Sequence, residues 1–454
     1  MSQKSVKIRG EVDMLQGPLL KKIVVFAIPL LLSGVLQQSF NSVDVAVVGR
    51  YCSRQSLAAV GSNGVVIGLL VNLFLGISIG ANVVIANCIG RGKREDAARA
   101  TSTVMVMSAI FGVFLGVIGI LASGSILRAI ATPDDVLPRA EVYLRLFFIG
   151  VPFLVVFNFA SAVLRSVGDT RRPFNCLVAG GVVNVGLNLL LVLIFDLDVA
   201  GVAIATSVSN VVSATLLVRI LMRERGDLRL DMRQLRFDRE LAGEVLRIGV
   251  PAGVQAAVFP LSNVFILSAI NTFGADGSAG SAAALTYEYY CYYLIAAFAS
   301  ASVAFTGQNY GAGKYRRCDR IFLICLAMGA ASCAIANIGI TIYREWFVGL
   351  FTSEPDVSSY GYIRIEHVLL FQFIASSYEV AGASMRGMGK SVLPALITIF
   401  GTCIVRIWWV SMFQAGYIPH DMGKLLDIYP ITWILTGLMM LTVYRIVRRK
   451  AYKV

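Results

Sequence analysis

The chain has 454 residues, 57% of them hydrophobic and only 15% charged, with a mean hydropathy of +0.74. That balance excludes a soluble globular protein and implies an all-α polytopic membrane protein. The formal net charge of +13 requires no nucleic-acid partner, because Lys and Arg concentrate in alternate connections, as they do in loops on one face of a bilayer.

Apolar runs of about 20 residues or more, enough to cross a hydrocarbon core of ~30 Å, fall near 19–48, 57–88, 101–123, 140–163, 173–195 and 199–222. Six more fall near 243–272, 280–307, 320–350, 360–384, 392–416 and 425–446, which predicts twelve transmembrane helices. The first run is too long for a signal peptide and is expected to remain as a span. Bases fill every other connection, from Lys4, Lys7 and Arg9 through Arg91–Lys93 and Lys314–Arg317 to Arg448–Lys450. The expected protein is therefore a multi-pass component of the plasma (inner) membrane with both termini cytoplasmic.

The polar tract after the sixth run divides the chain, giving an N-terminal six-helix lobe over 1–222, a linker over 223–242 and a C-terminal six-helix lobe over 243–454. The halves repeat at an offset of 221 to 222 residues. Pro29 corresponds to Pro251, Asn41 to Asn263, and Gly90-Arg91-Gly92-Lys93 to Gly311-Ala312-Gly313-Lys314. Arg165-Ser166-Val167-Gly168 likewise corresponds to Arg386-Gly387-Met388-Gly389. Six spans per half make the repeat parallel, the arrangement of transporters in which two pseudo-symmetric lobes rock about a membrane-normal axis.

Within the first run, Ser33, Gln37, Asn41 and Asp44 are spaced to share one helical face. An acid inside a span is expensive and by default a functional-site candidate. The competing reading places Asp44 near the outer end of its helix, simply solvated. Asn184 and Asn188, one turn apart, and Thr206 lie in the fifth and sixth runs; the two amides suit either a site or plain interhelical hydrogen bonding. Glu288 stands among Tyr287, Tyr289, Tyr290, Tyr292 and Tyr293, a set suited to an organic cation or to an interfacial tyrosine belt. Glu379 and Arg406 are each isolated in apolar runs, and are expected to pair with one another or with Glu288.

The stretch Gly307-Gln308-Asn309-Tyr310-Gly311-Ala312-Gly313-Lys314 resembles the GQNxGAGK signature of the multidrug and toxic compound extrusion (MATE) transporters. The twin arginine–glycine turns, Pro29 and Pro251, and Val43-Asp44 followed by Val48-Gly49-Arg50 are similar to the same family, over about 19–445. The resemblance implies two six-helix lobes that export small, often cationic, organic compounds by antiport with Na⁺ or H⁺. It also maps Asp44, Asn184, Asn188 and Thr206 onto the family's amino-terminal cation site, with Asn188 replacing an Asp. One carboxylate among neutral oxygens balances one proton or one Na⁺. An acid that some members carry in helix seven is missing at 258–261.

The ion-coupling set expected from these readings is Asp44, Asn184, Asn188, Thr206 and Asn41; the cargo-binding set is Gln37, Glu288, Tyr287, Tyr292, Glu379 and Arg406. No catalytic group, cofactor or metal is expected beyond a possible Na⁺ at Asp44. The eight scattered cysteines and two histidines have no ligand spacing. Gly-x-Gly-Lys lacks the phosphate-loop spacing and reads as a sharp helix end. Expected partners are small organic cations and membrane lipids, the chain acting as a monomer. A lipid-linked precursor flippase of related fold is the alternative; it would want an intramembrane basic cluster, where the sequence suggests only Arg406. A passive channel fits the two-lobed repeat poorly.

Overall fold

The computed structural model describes residues 12–224 and 228–452. The first lobe contains α1 (Leu19–Tyr51), α2 (Arg54–Gly90), α3 (Arg94–Ala129), α4 (Leu137–Ser166), α5 (Arg171–Leu189) and α6 (Asp198–Met222), with α5 running on into a π turn, Leu190–Ile194. The second contains α7 (Arg239–Ile270), α8 (Gly274–Gly311), α9 (Tyr315–Ile342), a short α10 (Arg344–Gly349) and α11 (Pro355–His367). It continues through a 3₁₀ stretch, Leu369–Ala375, into α12 (Ser376–Gly387) and α13 (Val392–Thr398). A π turn, Ile399–Ile404, then leads to α14 (Val405–Gln414), α15 (Met422–Leu426) and α16 (Ile428–Ala451). No strand occurs among the described residues, as expected where every backbone group must bond within its own segment.

Eleven segments are long and apolar enough to cross a membrane, but one of them, Arg239–Gly311, has 73 residues. At a rise of ~1.5 Å per residue that segment would be about 110 Å long, far beyond a single crossing of ~30 Å. It breaks at Asn271–Phe273, where Gly274 takes φ +82°, and α8 turns back on α7. The chain therefore makes the twelve passes expected.

The repeat is visible in the backbone of its turns. Gly92 and Gly313 end α2 and α8 at φ +73° and +68°, and Gly168 and Gly389 end α4 and α12 at +90° and +76°. Each is a left-handed position that a side chain would strain, so the glycine motifs are helix stops.

The lobes meet along α1 and α2 on one side and α7 and α8 on the other. The close contacts run from the end that carries the start of α1 to the middle of the helices, where a Cβ on Gly34 would lie 2.4 Å from Tyr293 Cδ1. A Cβ on Gly80 would lie 2.2 Å from the Val245 carbonyl, and one on Gly76 2.4 Å from Gly253 Cα, so glycines let the two backbones touch. Nearby, Gln308 Nε2 donates to Ser166 O at 2.6 Å and Asn87 Nδ2 to Gly387 O at 3.3 Å, each across the interface. The segment before α1 crosses the same seam. Asn309 Nδ2 and Arg317 Nε donate to Met14 O at 3.1 and 3.2 Å, and Lys314 Nζ to Leu15 O at 3.0 Å. Toward the other end, Gly61, Gly64 and Gly68 of α2 face open space. The cleft between the lobes is thus shut where the chain begins and open opposite.

Gly80→Ala is expected to destabilise the protein by about 1–3 kcal/mol through overpacking, read as a lower melting temperature in detergent. Gly61→Ala, which meets nothing within 4 Å, is expected to be neutral or to stabilise by about 0.5–1 kcal/mol through helix propensity. Equal effects of the two substitutions would contradict the one-ended closure.

Candidate functional site

Helix α5 can reach α1 because residue 181 is glycine. A Cβ there would lie 1.7 Å from Phe40 Cζ, so the ring occupies the space that any other residue would fill. One turn beyond Phe40 on α1 is Asp44; one and two turns beyond Gly181 on α5 are Asn184 and Asn188. The close approach thus sets the acid opposite both amides.

Asp44 is only 9% exposed, which removes the reading of a solvated helix end. Its Oδ1 accepts a hydrogen bond from Asn188 Nδ2, and its Oδ2 accepts one from Thr206 Oγ1 of α6 at 3.4 Å. Asn184 Nδ2 donates to Thr206 Oγ1 at 3.3 Å, and Asn188 Nδ2 also donates to Asn184 Oδ1 at 3.4 Å. Four of the five residues expected from the sequence therefore form one connected group. Asn188 Oδ1 is buried and has no partner among the described residues. Together with the carboxylate it offers oxygen ligands to a hard monovalent cation, or the carboxylate can take a proton. No cationic side chain bonds the carboxylate among the described residues, so the group carries one negative charge when empty of either. Buried Tyr143 of α4 lies within electrostatic reach of Asp44, and its place in an apolar run gave no sign of this.

Asn41 and Gln37 are exposed and stand apart from this group. The polar stripe expected along α1 is therefore divided: α5 runs along α1 from Phe26, whose carbonyl accepts from Thr170 Oγ1, past Phe40 to Asp44, but leaves Gln37 and Asn41 uncovered. Ser33 returns its hydroxyl to Pro29 O at 2.7 Å.

In the second lobe the expected pairings are corrected. Glu288 is bound by Arg364 through two guanidinium nitrogens at 2.6 and 3.0 Å, both residues being buried, so its carboxylate is not free for a cationic cargo. Arg364 also donates to Ser281 Oγ at 2.8 Å. The sequence held one sign of this partner, a lone base inside the tenth apolar run. Tyr287 is likewise committed elsewhere: its hydroxyl donates to Phe347 O at 2.8 Å and its ring meets Phe347 and Phe351 edge-on. Tyr292 donates to Glu379 Oε1 at 3.1 Å, both residues being half-buried, and Arg386 lies within electrostatic reach of that acid while donating to Gln255 Oε1 at 3.1 Å. Arg406 pairs with neither acid. It is fully buried and donates to Thr432 Oγ1 and Asn263 Oδ1, each at 3.2 Å, and its guanidinium lies 4.4 Å from the Tyr429 ring centre. Nor is Arg406 the sole base within an apolar segment, since Arg364 and Arg386 are buried in the Pro355–Gly387 span.

The family model described as MatE matches the chain in two blocks, 29–190 and 251–409, one in each lobe. The chain belongs to the MatE family. Its relatives include the probable multidrug resistance protein YoeA of Bacillus subtilis (strain 168), 26% identical, with 95% of this chain and 94% of the relative covered. The probable multidrug resistance protein NorM of Thermotoga maritima is also 26% identical, over 90% and 89% of the two chains. An FAD transporter of Shewanella oneidensis is 22% identical over 94% of each. Among solved structures, an outward-facing conformation of a multidrug resistance MATE family transporter superposes with a TM-score of 0.92 at 22% identity, covering 99% of this chain and all of that one. At that identity the likeness speaks for the fold alone: this MatE protein is a multi-pass membrane protein made of helices in two lobes.

Two stability measurements check the geometry. A double-mutant cycle of Asp44→Asn and Asn188→Ala is expected to show a coupling of about 0.5–3 kcal/mol, whereas additive effects would mean that the two side chains do not interact. Arg364→Met, which strands the buried Glu288 carboxylate, is expected to cost about 3–5 kcal/mol, with most of the loss recovered in the Glu288→Leu/Arg364→Met double variant.

Proposed function

We propose that the protein is a plasma-membrane antiporter that exports small organic compounds, driven by inward return of one H⁺ or one Na⁺ through the Asp44 group. The observation that carries this reading is the buried Asp44 carboxylate of α1, held among the described residues only by neutral donors from two other helices. Without an ion, that charge is costly in a low-dielectric interior; with one bound, it is neutralised. Opening or closing the cleft changes the solvation of α1, so the ion binds the two conformers with different affinity, and that difference shifts their populations. The alternation of bases along the chain supports cytoplasmic termini. On that orientation the cleft described above is closed to the cytoplasm and open outward, the state in which cargo departs and the ion enters. The cycle needs one chain and no prosthetic group.

For the cargo, the half-buried Tyr292–Glu379 pair supplies an aromatic face and an acid suited to an organic cation. The names of the relatives range from multidrug resistance proteins to an FAD transporter. Membership of the family thus leaves the charge of the cargo to each protein's own side chains. Arg364 does not favour a flippase for lipid-linked precursors, because it is buried and paired with Glu288.

Uptake of ethidium into inverted vesicles tests the coupling. Wild-type protein is expected to respond to either a proton or a sodium gradient, which identifies the ion. Asp44→Asn is expected to lower gradient-driven uptake at least tenfold, the scale of losing one charge-assisted interaction, while the protein stays folded. Undiminished gradient-driven uptake by that variant would overturn the proposal.

A further inference from the structure

We infer that Arg406 is the core of an anion-binding site in the second lobe, so that the preferred cargo bears a carboxylate or another anionic group. The inference rests on the exporter reading above and deepens it by adding a requirement on the cargo.

Among the described residues three arginines are buried in this lobe. Arg364 is paired with Glu288 and Arg386, bonded to Gln255, lies within electrostatic reach of Glu379, whereas Arg406 bonds only the neutral acceptors Thr432 and Asn263. Its Nη2 is buried with no partner among the described residues. The ring of Tyr429 at 4.4 Å and that of Phe259 at 5.4 Å sandwich the guanidinium. Aromatic faces partly offset a cation's lost hydration, but they leave an N–H without an acceptor. A guanidinium presents its donors in a planar fork that matches a carboxylate or phosphate. An anionic group is thus what would complete this site.

Its place in the repeat supports a role in transport. At the 222-residue offset between Pro29 and Pro251, Arg406 stands opposite Asn184 and Asn263 opposite Asn41. The second lobe therefore has a fixed cation at the level where the first has a member of the Asp44 group. Both sites also adjoin a π turn, Leu190–Ile194 in one lobe and Ile399–Ile404 in the other, a feature frequent at functional positions. On α7 beside it, Phe259 and Asn263 are only half-buried and Pro260 removes a backbone hydrogen bond. Glu379 follows Tyr378, which is within electrostatic reach of Arg406, so a zwitterionic cargo is the kind that would use both charges.

Fluorescence polarisation of the full-length protein in detergent tests this with two dyes that differ by one group. Rhodamine 110 has a free carboxyl and rhodamine 123 is its methyl ester. Wild-type protein is expected to bind rhodamine 110 about tenfold more tightly, the scale of one hydrogen bond to a charged group. Arg406→Gln is expected to erase that preference, and Arg406→Lys, which keeps the charge, to retain most of it. Equal affinity of the wild type for the two dyes would overturn the inference even if the Gln variant failed to fold. So would equal losses for both dyes in Arg406→Gln, or a preference that survives the substitution. Equilibrium binding needs no ion gradient, so this result can fail while the Asp44→Asn transport result stands, and the reverse.

Discussion

Inside a bilayer the helical backbone has already satisfied its own hydrogen bonds, and a buried polar side chain must find its partner on another helix. Asp44 meets that requirement through Asn188 and Thr206, brought from α5 and α6. The arrangement depends on Gly181, which lets α5 come close enough for its amides to reach α1. The same constraint organises the second lobe, where Glu288 is held by Arg364 and Glu379 by Tyr292. Packing of the apolar surface follows from composition, but the positions of these few polar contacts decide which helices must be neighbours.

The two lobes apply one scaffold to opposite electrostatics. In the first, a carboxylate is surrounded by neutral amides and a hydroxyl; in the second, a guanidinium is surrounded by a neutral amide, a hydroxyl and aromatic rings. Asp44 corresponds to Ile266 and Asn184 to Arg406, so the repeat keeps the helix geometry while exchanging the charge. On the proposed reading, a small ion and a larger organic compound occupy separate lobes of one molecule. Their coupling would pass through the seam between the lobes, not through direct contact.

That seam is built from backbone more than from side chains. Gly76, Gly80 and Gly253 let α2 and α7 touch, and carbonyls of Ser166, Gly387 and Met14 accept bonds from Gln308, Asn87 and Asn309. The glutamine–asparagine–glycine motif thus has a physical role, because two of its residues clamp the closed end of the cleft. Such contacts are short-range and would give way together in the proposed cycle. Contacts of this kind suit a switch between two discrete arrangements better than a gradual one.

By itself the sequence determined the membrane class, the twelve passes, the two-lobed repeat and the helix-ending glycines, because hydropathy, period and left-handed turns are local properties. It also placed Asp44, Asn184, Asn188 and Thr206 in one set, since charged and amide residues are conspicuous in apolar runs and the family resemblance aligned them. Only the tertiary structure decided which polar residues face one another. Asn41 and Gln37 share the helix of Asp44 but lie beyond the cover of α5 and α6, so they remain exposed. Glu288 found Arg364 rather than Arg406, and Arg406 was left without an acid. Helical spacing reports the face a residue occupies on its own helix. Which helix lies against that face, and at what depth, is set by interhelical packing between residues far apart in the chain, Glu288 and Arg364 at a separation of 76 and Asp44 and Asn188 at 144.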